Sequence, residues 1–395
     1  MLDDKAASSV IACGTKGKRS LCVISTPFQL YSLLALRASG FFGEVRPTVL
    51  LHGVLVQDKS LSERLMQSGY FAAIYTAQRA YPVARHLGMS CLRDFLLCPR
   101  ATKKKYEAAF PGVVGQEFDL IVASCADRAT LEAKRFSVPH GRTVFIDDGE
   151  GTHIGFILQP LACFDQLAAR ATRVPGLKGQ VKHAVRTVAN RLVGKRSNLA
   201  IQCIYALNPD MDQMAQIYGD IPVGSLDPRA VPQADLSLIC QASDVEAYRN
   251  ARFIYLSFPG DMPSAVLERE LQVVREMEEH TGNRIWIRLH PRRNAEDFGA
   301  YSELILGEAF WEALVFGGVI DSSKCLIGSG STAQSSPFTL YGVKPQCIHL
   351  HRLFKDVIAE TGPFERAAQN LRQAYGRDQK IDTPQSIADL LALLE

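Results

Sequence analysis

The chain reads as an α/β protein made of two Rossmann-like halves. Three observations predict this: its length, the repeated alternation of buried-strand and amphipathic-helix patterns, and polar clusters where strands run into helices. At 395 residues it exceeds one typical domain and suits two of Rossmann size. Short apolar runs separated by helical periodicity imply parallel sheets covered on both faces.

The first half opens with Leu21-Cys22-Val23-Ile24, a buried strand that turns directly into Ser25-Thr26-Pro27-Phe28-Gln29-Leu30. Thr26 is a helix N-cap and Pro27 a good first helical residue, so a helix is expected to about Ala38, with Gly40 near its end. Such an elbow opens a doubly wound domain. Thr26 and Gln29 either cap that helix or line a cleft. Strands follow at Thr48–Leu51, Ala73–Tyr75, Asp119–Ala123 and Arg142–Ile146, with helical periodicity over Leu61–Gln67, Val83–Phe110 and Ala129–Lys134. The last strand ends in Asp147-Asp148-Gly149, two carboxylates and a turn-forming glycine at a strand tip. The same pattern also makes an ordinary Asp-Gly turn.

In the second half, Arg252–Leu256 is a strand running into a loop that holds Ser257 and Gly260. Ala265–His280 is an amphipathic helix, with Leu267, Leu271, Val274 and Met277 on one side. Ile285, Ile287 and Leu289 alternate with Trp286 and Arg288 in a short strand that must stop at His290-Pro291, because proline cannot join a sheet ladder. Arg292 and Arg293 follow. Phe310–Phe316 is helical. Lys324–Ile327 is a strand feeding Gly328-Ser329-Gly330-Ser331-Thr332, a phosphate cradle of glycines and hydroxyls before a helix. That helix is expected to start at Ser331 or Thr332 despite Pro337. Pro345–Ile348 and Ile387–Leu394 supply a further strand and a closing helix.

Domain boundaries follow from these elements. Residues 1–19 are expected to be a disordered leader, 20–205 the N-terminal Rossmann-like domain, 206–235 a Pro-, Asp- and Gly-rich linker, and 236–395 the C-terminal domain. Asp210-Met211-Asp212 matches a metal-holding DxD pattern, but so short a match arises readily by chance.

Composition bounds the function. Net charge is +3, too small to argue for nucleic acid. The ten cysteines form no CxxC pair and most sit in apolar runs, as buried thiols of a reducing compartment do. No stretch reaches the roughly 18–20 apolar residues of a membrane span, and the start lacks a signal peptide's features, so a cytoplasmic protein is expected. Between Ala169 and Ala200 there are eight Lys or Arg and no acid. Two readings stand for residues 170–196: a solvated basic helix, or an amphipathic helix lying on an anionic membrane at the inner face of the cytoplasmic membrane.

The ordered set of Asp147-Asp148-Gly149, His290-Pro291 and Ser331-Thr332, with the Ser25–Leu30 elbow, resembles the bacterial lipooligosaccharide sialyltransferases and polysialyltransferases. The resemblance spans roughly residues 20 to 350 and lies in the order of short motifs. It implies a GT-B glycosyltransferase whose two Rossmann-like domains face each other across a central cleft. It further implies an inverting transfer of a nonulosonic acid, usually sialic acid, from its CMP-activated donor to a hydroxyl of a glycan or glycolipid destined for lipooligosaccharide, capsule or another surface polysaccharide. By position Asp147 would be the base and Asp148 its support. His290, Ser331 and Thr332 would meet the CMP phosphate, with Ser329, Gly330, Pro291 and Arg292 around them and no metal or other cofactor. Arg293 ranks below these. Thr26, Gln29, Gly149, Ser257 and Gly260 would line the donor and acceptor cleft. The rival readings are the same fold acting on CMP-Kdo or CDP-glycerol, and a nucleotide-binding protein that has lost catalysis.

Overall fold

A computed structural model describes residues 18–56, 58–77, 99–148, 152, 199, 201–209, 211–236, 238–239, 245–260, 262–280, 284–290, 293–307, 309–329, 331–358, 361–376 and 380–395. The expected leader up to residue 17, the helical pattern from Val83 to residue 98, Asp210, and the basic segment 170–196 lie outside the described residues.

The chain forms two compact units, Met1–Ile239 and Cys240–Glu395. Each is built on one parallel sheet, so the expected pair of Rossmann-like domains, the composition of a GT-B chain, is present.

The first unit holds β1 (Ser20–Ile24), α1 (Pro27–Ala38), β2 (Thr48–Leu51), α2 (Leu61–Gln67), β3 (Ala73–Thr76), α3 (Pro99–Ala109), β4 (Leu120–Ala123), α4 (Arg128–Phe136), β5 (Arg142–Ile146), β6 (Ile201–Leu207), α5 (Met211–Tyr218) and β7 (Val223–Leu226). Its strands lie in the order β3-β2-β1-β4-β5-β6-β7. Their apolar runs are buried on both faces, as parallel strands between helix layers must be. The core joins Leu21, Val23, Ile121, Phe145 and Ile204 from four strands to Tyr106 and Phe110 at α3 and Leu131 on α4.

Residues 206–235 are not the expected linker. Leu207 ends β6, and β7 pairs with β6 in register from Ile204↔Val223 to Leu207↔Leu226, adding the seventh strand. The reason is packing. Gly224 lies so close to the Tyr205 ring that a Cβ there would come within 2.5 Å of it. Tyr31 of α1 also donates its hydroxyl to the Pro228 carbonyl at 2.7 Å, holding the segment against the domain. Polar turn residues flank a real strand here.

The second unit holds α6 (Val245–Asn250), β8 (Phe253–Leu256), α7 (Ser264–His280), β9 (Ile285–Arg288), β10 (Ile305–Leu306), α8 (Trp311–Phe316), β11 (Cys325–Gly328), α9 (Thr332–Tyr341), β12 (Gln346–His349), α10 (Gly362–Tyr375), β13 (Ile381–Asp382) and α11 (Ile387–Ala392). The strand order is β10-β9-β8-β11-β12-β13. Helix α7 buries Val266, Val273, Val274 and Met277. Each such side chain contributes about 1.5–3 kcal/mol of burial, so the helix is held by its apolar stripe rather than by propensity. In β9 the burial alternates as the sequence pattern requires, Ile285 and Ile287 inward and Trp286 and Arg288 half-buried.

Both sheets reverse their strand order beside the first strand, between β1 and β4 and between β8 and β11. Open α/β sheets bind ligands outside the carboxyl ends of the strands at such reversals. Backbones come close there: a Cβ on Gly328 would lie 3.2 Å from the Leu256 Cβ and 3.3 Å from the Leu256 carbonyl oxygen.

Candidate functional site

In the first unit the carboxyl ends of β1 and β5 carry one connected polar network. Thr26 caps α1, accepting the Gln29 amide at 3.2 Å. The Gln29 side chain is 2% exposed, and its Oε1 accepts both the backbone N–H of Ser25 at 2.7 Å and the Ser25 hydroxyl at 2.9 Å. Those two donors fix the orientation of the amide, so Nε2 faces outward and donates to Asp148 Oδ1 at 2.6 Å. The Asp148 N–H in turn donates to Thr152 Oγ1 at 2.7 Å, closing the acidic turn.

The two aspartates are in different environments. Asp147 is 0% exposed, and its Oδ2 accepts the backbone N–H of Leu207, at the end of β6, at 2.8 Å. Asp148 is half-buried. Asp147 is expected to present its carboxylate to an acceptor, yet it has no accessible surface; it ties β5 to β6. Tyr218, whose hydroxyl donates to the Thr152 carbonyl, covers this side. Burial, and after it the charges of Asp147 and Asp148, push the Tyr218 phenol well up, so it stays a neutral donor. Gly149 lies outside the described residues.

In the second unit the carboxyl ends of β8, β9 and β11 carry the remaining candidates. Ser257 follows β8, where its N–H donates to the Arg288 carbonyl at 3.1 Å. Its hydroxyl oxygen accepts the N–H of His290 at 2.8 Å. The His290 carbonyl accepts the Arg293 N–H at 2.8 Å. Pro291 and Arg292 lie outside the described residues, and Gly260 sits in the turn beyond Ser257.

Arg293 is not a free cation. Its side chain is 1% exposed, 3.3 Å from Glu270 Oε2 and 3.2 Å from Asp297 Oδ2, with the guanidinium over the Phe298 ring. Sequence reasoning missed Glu270. The available signal was its place on α7 between Val266 and Val273, at helical spacing on the apolar stripe.

Helix α9 starts at Thr332, as expected, with Ser331 as N-cap accepting the Ala333 N–H at 3.3 Å. Pro337 lies within the helix, which ends on Gly342 in the left-handed conformation at φ 70°. Gln334, buried on the helix's first turn, donates to the carbonyls of Leu326 at 3.2 Å and Ile348 at 3.1 Å. This bond pair pins the helix start over β11 and β12. Ser329 is 8% exposed, and its hydroxyl has no hydrogen-bond partner among the described residues. A buried hydroxyl without a partner costs free energy. Gly330 lies outside the described residues.

No protein-family model matches the chain, and no curated protein matches its sequence. Solved structures similar to it include bacterial sialyltransferases. An α/β-galactoside α-2,3-sialyltransferase from the luminous marine bacterium Photobacterium phosphoreum is 10% identical, covers 94% of this chain and 99% of its own, and superposes with a TM-score of 0.45. A sialyltransferase from Photobacterium damsela is 11% identical over 92% of this chain and 81% of its own, with a TM-score of 0.42. A UDP-GlcNAc 2-epimerase from Neisseria meningitidis, bound to UDP-GlcNAc, is 11% identical over 95% of this chain and 98% of its own, with a TM-score of 0.42.

Proposed function

We propose that the chain transfers a nonulosonic acid, sialic acid in the first instance, from its CMP-activated donor to a hydroxyl of a bacterial surface glycan, with inversion. One observation carries the reading. The buried Ser329 hydroxyl, without a partner among the described residues, precedes the Ser331-capped start of α9, and His290 follows β9 of the same sheet, two strands from β11. A helix N-terminus with a spare hydroxyl suits a singly esterified phosphate, and a protonated imidazole suits the charge such a phosphate gains on leaving.

In this reading the acceptor oxygen attacks the anomeric carbon while the bond from that carbon to the phosphate oxygen breaks, and CMP departs. The acceptor's proton goes to a carboxylate. We give that role to the half-buried Asp148, which Gln29 orients, with Asp147 tying β5 to β6. Charge on the departing CMP is met by His290, Ser329, Ser331 and the α9 dipole, so the reaction needs no metal. No described helix is long and apolar enough to cross a membrane. A cytoplasmic enzyme reaching a glycolipid would use the basic residues 170–196 as its contact with anionic lipid.

The test is CMP release from CMP-sialic acid, CMP-Kdo and CDP-glycerol in the presence of EDTA, with Asp148→Ala and His290→Ala as controls. Release from CMP-sialic acid by the wild type alone is expected. If no CMP-nonulosonate turns over above the controls, the proposal fails.

A further inference from the structure

The proposed reaction uses His290, but nothing in it uses the buried acid that lies behind His290. Glu270 projects from the middle of α7 and is 0% exposed. Its Oε1 accepts the Phe258 N–H at 2.7 Å and the Tyr255 hydroxyl at 3.1 Å. Its Oε2 lies 3.3 Å from the Arg293 guanidinium. Phe258 belongs to the loop after β8, and Arg293 follows β9. One carboxylate thus holds both segments that flank His290.

The two segments are also bonded to each other. Ser257, the neighbour of Phe258, accepts the His290 N–H through its hydroxyl, and Arg293 donates its own N–H to the His290 carbonyl. The backbone polar groups of His290 are therefore bound by Ser257, the neighbour of the Phe258 that Glu270 holds, and by Arg293, which pairs with Glu270. A buried acid on an apolar stripe is costly to keep, and α7 would pack as well with leucine in its place. The Arg293 contacts to Glu270 and Asp297 are close enough for ion pairing but off the axis of a hydrogen bond, which leaves Nε and Nη1 without a hydrogen bond among the described residues. Such an arrangement adds little to stability for what it costs.

We infer that Glu270 is a positioning residue, which fixes His290 against the Ser257–Phe258 loop through Arg293. This rests on the proposed role of His290, and it extends that role to a residue that touches no substrate. Burial pushes the Glu270 carboxyl up to about 7, with the Phe258 N–H, Arg293 and Tyr255 pulling the other way. Removing the charge alone leaves the buried Arg293 guanidinium with the Asp297 carboxylate but without that of Glu270. Removing both charges relieves that penalty without restoring the tether.

The experiment compares the full-length wild type with Glu270→Gln, Arg293→Met and the double variant. Three properties are read: thermal midpoint, kcat and KM for CMP release from CMP-sialic acid, and amide hydrogen exchange over residues 285–298. For Glu270→Gln the expected result is a kcat lower by about 10- to 100-fold, with KM within about twofold and exchange about 10-fold faster. In the double variant the thermal midpoint should recover while kcat and exchange do not. A double variant that recovers all three shows a merely structural pair and overturns the inference, as does unchanged exchange in Glu270→Gln. Exchange is read without substrate. A wild type inactive on every CMP donor sinks the proposed function, and the exchange data still decide the tether.

Discussion

The side-chain amide of Gln29 donates to Asp148 Oδ1 at 2.6 Å across 119 residues of sequence, and its own orientation is set by two donors from Ser25. The start of the first helix thereby aims a carboxylate that belongs to the fifth strand. Asp147, one residue earlier, is turned inward to Leu207.

This division of labour predicts opposite phenotypes for neighbouring residues. Asp148→Asn should lower kcat by about 10²- to 10⁴-fold, the range of a lost general base, with the thermal midpoint nearly unchanged. Asp147→Asn should instead cost about 1–3 kcal/mol of stability, because the buried Leu207 N–H loses a charged acceptor. Parallel melts and CMP-release kinetics check both, and equal kinetic losses with equal melts would refute the assignment.

Gln29→Leu keeps the volume of the side chain and removes the donor to Asp148. The loss should appear in kcat, by about 10-fold, since a freed carboxylate samples unproductive orientations. Gln29→Glu should be worse, because two carboxylates at that distance cannot both ionise. The comparison is made from kcat at several pH values, where the Glu variant should show a displaced acid limb.

Ser329 and Ser331 both meet the CMP phosphate in the proposed reaction, but only Ser331 also caps a helix. Ser331→Ala removes a helix cap and should cost about 1 kcal/mol of stability. Ser329→Ala removes a hydroxyl that bonds nothing described in the free protein, so stability should hold while CMP affinity falls by about 10-fold, the worth of one bond to a charged group. Calorimetric titration with CMP, beside a melt, distinguishes the two.

His349, at the end of β12, makes acid stability measurable. It is buried, neither ring nitrogen has a partner among the described residues, and its pKa is lowered to about 4 by burial first and then by His351 and Arg372. A base with a depressed native pKa is protonated first in the unfolded chain. Stability is therefore full above pH 6.5 and lost as pH falls from there to about 4, by about 3 kcal/mol in total. Denaturant melts of wild type and His349→Phe across this range should diverge by that amount, Glu270 and the other acids cancelling between them. Parallel curves would show that His349 takes up its proton in the folded state.

Local pattern was enough for most elements, because burial period and capping chemistry act over a few residues. Thr48–Leu51, Leu61–Gln67 and Arg142–Ile146 form where their periodicity places them, and α1 starts at Pro27 behind its Thr26 cap. The two-residue strands Ile305–Leu306 and Ile381–Asp382 carry no period of their own; they exist because a neighbouring strand offers them a ladder. The seventh strand of the first sheet was hidden among the prolines, aspartates and glycines of a turn-rich segment for the same reason.

The sequence by itself determined that acids, a His-Pro pair and a Ser-Thr pair stand at strand ends, since apolar runs stop at them. Tertiary structure decided what each side chain faces. The Leu207 amide buries Asp147, Gln29 turns Asp148 outward, and Glu270 takes Arg293 out of solvent. Those partners lie tens of residues or more away along the chain, and a hydrogen bond or ion pair between strands leaves no periodic trace in either of them.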